Sequence, residues 1–94
     1  MNKYESVIII NPNLEGEALK ALIEKISNLI NKNGKVDSVE EVGVKKLAYE
    51  IKKNKEGYYV VLKFEANPEF ISELERVYRI TDEVIKFIVV KEEE

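Results

Sequence analysis

The side chains with chemical reach in this sequence are its lysines, tyrosines and carboxylates. It holds no cysteine and no histidine. Thiol nucleophiles, disulfides, cysteine or histidine zinc sites and imidazole acid-base chemistry are therefore excluded. Carboxylates occur in adjacent pairs, Glu40 with Glu41 and Asp82 with Glu83. Neighbours on a strand point to opposite faces, so Glu40 and Glu41 do not converge. Both pairs read as solvated charge. The four glycines are scattered and suit turns and a cap rather than a phosphate cradle. What remains is binding chemistry. Lys45, Lys46, Lys52 and Lys53 crowd one stretch with Tyr49 among them, and Lys3 stands beside Tyr4. Lysine supplies charge for phosphate, and tyrosine can stack on a base or sugar.

Charge restricts where such binding can occur. The chain has 94 residues, with 15 basic against 18 acidic, a net charge of −3. That total argues against bulk nucleic-acid binding, so any RNA contact has to be local. From Gly43 to Gly57, Lys45, Lys46, Lys52, Lys53 and Lys55 outnumber Glu50 and Glu56. From Arg76 to Lys91, Arg76, Arg79, Lys86 and Lys91 outnumber Asp82 and Glu83. Acid gathers elsewhere, at Glu15, Glu17, Asp37, Glu40, Glu41, Glu65, Glu69, Glu73 and Glu75 and at Glu92, Glu93 and Glu94. Ordinary solvated surface has mixed charge too, and composition alone does not separate the readings. With no charged-then-apolar leader and no apolar run near the roughly 20 residues that span a bilayer, the expectation is a soluble, intracellular chain without membrane contact.

These groups have to be positioned by a small α+β framework. Tyr4 to Ile10 alternates as a strand with both faces largely apolar, which suits a central position, and Asn11-Pro12-Asn13 ends it. Leu19, Leu22, Ile23, Ile26, Leu29 and Ile30 recur at helical spacing between Gly16 and Asn31. Asn33-Gly34 is the expected stop, with glycine as a left-handed cap. Lys35 to Val42 reads as a second strand, interrupted at Gly43 by a bulge or bend and resumed to Lys52. A polar turn at Lys53-Asn54-Lys55-Glu56-Gly57 leads into the third strand, Tyr58 to Glu65. Asn67-Pro68 starts a second helix as N-cap and first helical position. Phe70 or Ile71, Leu74, Val77 and Tyr78 form its buried stripe. Val84 to Lys91 is the last strand.

The order strand-helix-strand-strand-helix-strand is the ferredoxin-like split βαβ arrangement (βαββαβ), an α+β fold. The expectation is one domain over residues 1–94, with its core in 3–91 and a disordered acidic tail at 92–94. Both helices should cover one face of a four-stranded antiparallel sheet ordered second, third, first, fourth. Val7, Ile9, Tyr59, Val61, Ile88 and Val90 then lie on the other, uncovered face. That face is either a partner-binding surface or a scatter of strand-favouring residues. Tyr59 is its sole expected aromatic, too few for base stacking across the sheet. Small enzymes of this fold that cleave acyl phosphates need an arginine-lined loop after the first strand. Asn11-Pro12-Asn13 offers none, so no catalytic residues are assigned.

The run Gly43-Val44-Lys45-Lys46-Leu47-Ala48-Tyr49-Glu50-Ile51-Lys52 carries a resemblance. A glycine, a basic pair, Leu-Ala-Tyr, one variable residue, isoleucine and a basic residue resemble the signature of the bacterial small-subunit ribosomal protein six family. Lys3-Tyr4-Glu5, Asn11-Pro12-Asn13-Leu14, Gly57-Tyr58-Tyr59, Arg79-Ile80-Thr81-Asp82 and Val89-Val90-Lys91 agree in order and spacing. Lys46 departs from the more usual arginine or other polar residue. Ser6 stands where an apolar residue is usual, which puts the packing of the first strand in question.

The resemblance implies a structural role in the cytoplasmic ribosome, with no enzyme activity, cofactor, metal or small-molecule substrate. The implied partners are the central domain of the small-subunit ribosomal RNA and ribosomal protein eighteen, bound as a pair during assembly. The expected RNA contacts are Lys3, Tyr4, Lys45, Lys46, Arg79, Lys86 and Lys91. Tyr49, Val61, Ile88 and Val90 are the expected protein contacts. Relatives with glutamate-rich ends can gain further glutamates, which makes Glu94 a candidate for that modification. The competing reading is a regulatory module of the same fold that binds a small ligand or pairs with itself through its open sheet.

Overall fold

A computed structural model of the chain describes residues 1–92. The elements follow the expected order: β1 (Asn2–Ile10), α1 (Gly16–Asn33), β2 (Gly34–Ile51), β3 (Asn54–Ala66), α2 (Pro68–Ile80) and β4 (Val84–Lys91). The strands form one antiparallel sheet ordered β2-β3-β1-β4. Among the described residues, no helix is long and apolar enough to cross a membrane.

Strand alternation and helix periodicity meet in one core. Ile8 and Ile10 of β1 and Val60, Leu62 and Phe64 of β3 are buried beneath Leu22, Ile23, Ile26 and Ile30 of α1. Phe70, Leu74 and Tyr78 of α2 complete it. Each such side chain contributes roughly 1.5–3 kcal/mol through burial. Ser6 shares this interior, fully buried. Its hydroxyl lies 2.9 Å from the Tyr78 hydroxyl, so the polar atom among apolar neighbours is satisfied.

Local chemistry explains the element ends, with some corrections. Asn11 turns the chain through its side chain, whose Oδ1 accepts the Asn13 N–H at 2.9 Å. Gly34 is not a left-handed cap. Its backbone is extended (φ −178°), and a Cβ there would collide with the carbonyl oxygen of Glu65. Close approach of the backbone to β3 is what requires glycine. Asn67 has the expected N-cap backbone and Pro68 opens α2, but the Asn67 side chain makes no capping hydrogen bond. Its carbonyl instead accepts the Phe70 N–H at 3.0 Å. Glu92, expected to begin a disordered tail, donates its N–H to the Lys3 carbonyl at 2.8 Å. Glu93 and Glu94 lie outside the described residues.

The β2–β3 hairpin departs most from expectation. Gly43 is the bulge, with φ at +103° and a register shift between Glu41 and Gly43. The turn comes earlier than the polar run suggests. Lys52 and Lys53 both take positive φ (48° and 67°), and Ile51 pairs with Asn54. That is the two-residue, twisted geometry suited to hairpins. Between Lys46 and Ile51 the register shifts again, leaving Leu47, Ala48, Tyr49 and Glu50 opposite Lys55.

Candidate RNA and protein interface

The sheet register arranges the face opposite the helices into rows. In the middle row Val61, Val7 and Ile88 are cross-strand neighbours, with Glu40 beyond Val61. The next row toward the β1 N-terminus holds Ser38, Lys63, Glu5 and Val90. Beyond it Lys35, Glu65 and Lys3 alternate in sign. On the other side of the middle row lie Gly43, Tyr59, Ile9 and Lys86. The apolar strip thus has charged rows at one end and a lysine-rich hairpin at the other. Ile88 is 52% and Val90 46% exposed, and Val61 is half-buried. Val7, Ile9, Tyr59 and Ile88 line a small cavity of about 190 Å³ on this face.

One end of this face is not open. Leu47, Ile9 and Ile85 are buried together, with Ile51 and Tyr59 packed against them. Ile85 reaches this side because β4 bulges between Val84 and Lys86. Leu47 reaches it from the unpaired part of β2. The expectation that Ile9 lies uncovered is therefore corrected. Gly57 makes the approach possible, since a Cβ there would strike Ile9 Cγ2. Alternation in the sequence placed Leu47, Tyr49 and Ile51 on one side, but not the bend that folds that side onto the sheet.

Tyr49 follows the bend and remains 64% exposed. Lys86 Nζ lies 5.7 Å from its ring centroid and donates to its hydroxyl at 3.4 Å. This cation–π contact ties the hairpin to β4. An expected protein contact and an expected RNA contact are thus joined to each other.

The expected RNA residues divide between two ends of the sheet. Lys45, Lys46, Arg79 and Lys86 lie toward the hairpin end, while Lys3 and Lys91 lie at the opposite end. All six are exposed. Lys45 and Lys46 face opposite sides, paired with Gly57 and Glu56 respectively. Lys3 faces the open side opposite Glu65, and Lys91 the helix side opposite Tyr4. Tyr4 is corrected. It is only 7% exposed, and its ring stacks on Phe64 with centroids 5.7 Å apart. A ring committed to the core has no face left for a base. Even-numbered β1 residues face the helices, so the strand pattern already contained this signal.

Two other groups clarify the electrostatics. Arg76 makes a two-pronged contact with Glu73, its Nε lying 3.1 Å from Oε2 and its Nη2 2.6 Å from Oε1. The hydrogen bond from Arg76 holds the Glu73 carboxyl below its usual range, and the pair occupies a cation that the sequence left free. On the helix side of the hairpin, the Tyr58 hydroxyl donates to Glu41 at 3.0 Å. Burial, then the adjacent carboxylate, pushes that hydroxyl's pKa up.

Comparison with known proteins supplies the family. The family model described as "Ribosomal protein S6" matches residues 3–91. The chain belongs to the bacterial ribosomal protein S6 family. It is similar to the small ribosomal subunit protein bS6 of Clostridium perfringens, 54% identical over 95 residues and covering 100% of both chains. The bS6 protein of Clostridium novyi is 53% identical over 94 residues, covering 99% of each. The crystal structure of 30S ribosomal protein S6 from Thermotoga maritima superposes with a TM-score of 0.91 at 40% identity, covering 97% of this chain and 87% of that one. The S6 family is structural and non-enzymatic, a component of the small ribosomal subunit in the bacterial cytoplasm. As a family member, this chain is a structural ribosomal component rather than an enzyme.

Proposed function

We propose that the chain binds the central domain of the small-subunit ribosomal RNA as a pair with ribosomal protein eighteen, during assembly and in the translating ribosome. It acts as one domain that offers both surfaces from a single sheet, with Arg79 added to the RNA surface from α2. The observation that carries this reading is the Val61-Val7-Ile88 row, continued by Val90 in the adjoining row, with lysines at both ends of the sheet. Apolar area is suited to a protein neighbour, and flanking cations to phosphate. Val61, Ile88, Val90 and Tyr49 meet the protein in this reading. Lys3, Lys45, Lys46, Arg79, Lys86 and Lys91 meet RNA. Because the chain's own charge is negative, protein eighteen contributes much of the positive charge that holds the pair on RNA.

Capture from bacterial lysate tests this reading. The chain should recover ribosomal protein eighteen and small-subunit ribosomal RNA, and ribonuclease should remove the RNA while leaving protein eighteen. Recovery of only a second copy of the chain, with or without ribonuclease, would favour self-pairing through the open sheet and overturn the proposal.

A further inference from the structure

Three cations from three separate elements line one cavity of about 230 Å³: Lys52 of the hairpin turn, Arg79 of α2 and Lys86 of β4. Its other walls include Tyr78, Val84 and Ile85, all buried. Among the described residues, no carboxylate lines it. The neighbouring acids Asp82 and Glu83 line a different cavity, between α1 and α2. Among the described residues, none of the three cations makes an ion pair, whereas Arg76, one helical turn before Arg79, is held by Glu73. The contact of Lys86 with Tyr49 limits the freedom of its ammonium group and brings the hairpin toward β4.

Like charges gathered over apolar walls repel one another, and an oxyanion among them converts that repulsion into charge-assisted hydrogen bonding. Arg79 offers a planar fork, Lys52 a mobile ammonium group, and Lys86 an ammonium group already held beside Tyr49. We propose that Lys52, Arg79 and Lys86 form a binding site for one phosphate group. Its occupant in the assembled subunit is a backbone phosphate of the RNA, an assignment that rests on the RNA-binding reading above. Free inorganic phosphate presents the same oxyanion chemistry, so the test has two arms.

The first arm titrates the full chain with inorganic phosphate at constant ionic strength and follows backbone amide resonances. Saturable shifts should centre on Lys52, Arg79 and Lys86. They should vanish in the triple variant Lys52→Asn, Arg79→Gln, Lys86→Gln, with asparagine chosen because it tolerates the left-handed backbone at the turn. Absence of localised saturation, or its persistence in the triple variant, would overturn the site.

The second arm measures binding of the chain and protein eighteen to a central-domain RNA fragment across a salt series. Releasing one RNA phosphate should weaken affinity about tenfold and flatten the slope of log K against log salt by about one. An unchanged slope in the triple variant, with binding weakened by Lys45→Ala and Lys46→Ala, would overturn RNA as the occupant while the RNA reading stands. If the wild-type pair does not hold the RNA at all, the RNA reading falls and takes that occupant with it. The phosphate arm then decides the site by itself.

Discussion

Ser6 of β1 and Tyr78 of α2 place their hydroxyl oxygens 2.9 Å apart inside the core. Ser6, a buried polar residue in an otherwise apolar core, is thus one half of a matched polar pair. Tyr78 also packs its ring against Phe87, with centroids 5.2 Å apart, so α2 is joined to both β1 and β4. Removing one hydroxyl leaves the other buried without a partner, at a cost of about 1–3 kcal/mol. Ser6→Ala and Tyr78→Phe should each lower stability in urea unfolding by that order. The double variant should lose less than the sum of the two. Strict additivity would show that the hydroxyls are not coupled.

Stability should also decline in strong alkali because of Tyr78. Burial pushes its pKa up from the ordinary 10.0 to about 12, partly opposed by the Ser6 hydrogen bond. A raised pKa means that the folded state holds the proton longer. The contribution is complete below pH 10 and is lost as pH rises toward the folded-state value, by roughly 2–3 kcal/mol in all. Tyr58 adds an effect of the same sign, common to wild type and variant. Unfolding free energy measured from pH 9 to 12 should therefore fall more steeply in wild type than in Tyr78→Phe. Parallel curves would contradict the assignment.

Gly34 should be intolerant of a side chain for a steric rather than a torsional reason. A Cβ at this position meets backbone of Glu65 and Ala66, which has no rotamer through which to yield. Gly34→Ala should destabilise by about 1–3 kcal/mol, as overpacking does. At Gly43 a Cβ meets nothing within 4 Å, but φ is +103°, so Gly43→Asn should be better tolerated than Gly43→Val. Thermal melts of the three variants test both causes.

Leu47 holds the hairpin against the sheet, so its truncation should act locally. Leu47→Ala should cost about 2 kcal/mol, at the lower end for a buried leucine, because its cluster is small and set apart from the main core. Amide hydrogen exchange should accelerate through residues 44–57 while central β1 amides remain protected. Uniform acceleration across the sheet would show that the two clusters unfold together.

The sequence disclosed most of the framework through period alone. Ile8 and Ile10 alternate with Val7 and Ile9, and Leu22, Ile26 and Ile30 repeat at helical spacing, so strand order and core followed from pattern and handedness. Deviations arose where contacts distant in sequence overrode a local signal. Lys52 and Lys53 occupy left-handed backbone that lysine does not advertise, while the more turn-like Asn54 opens β3. Gly34 resembled a helix cap because its need for glycine lies in β3, distant in sequence. Tyr4 attracted a binding role through its neighbour Lys3, although strand alternation sends the two side chains to opposite faces. The gathering of Lys52, Arg79 and Lys86 depends on a hairpin bend that no residue pattern specifies.

Cooperative binding to RNA is the most direct test of the central claim. A labelled central-domain RNA fragment is titrated with protein eighteen in the presence or absence of this chain, at several salt concentrations. The chain should strengthen binding of its partner, with affinity falling steeply as salt rises. Lys45→Ala with Lys46→Ala should flatten the salt slope by about one for each phosphate released. Ile88→Glu should abolish the cooperative gain by placing charge in the apolar row. Identical affinity with and without the chain would contradict the account.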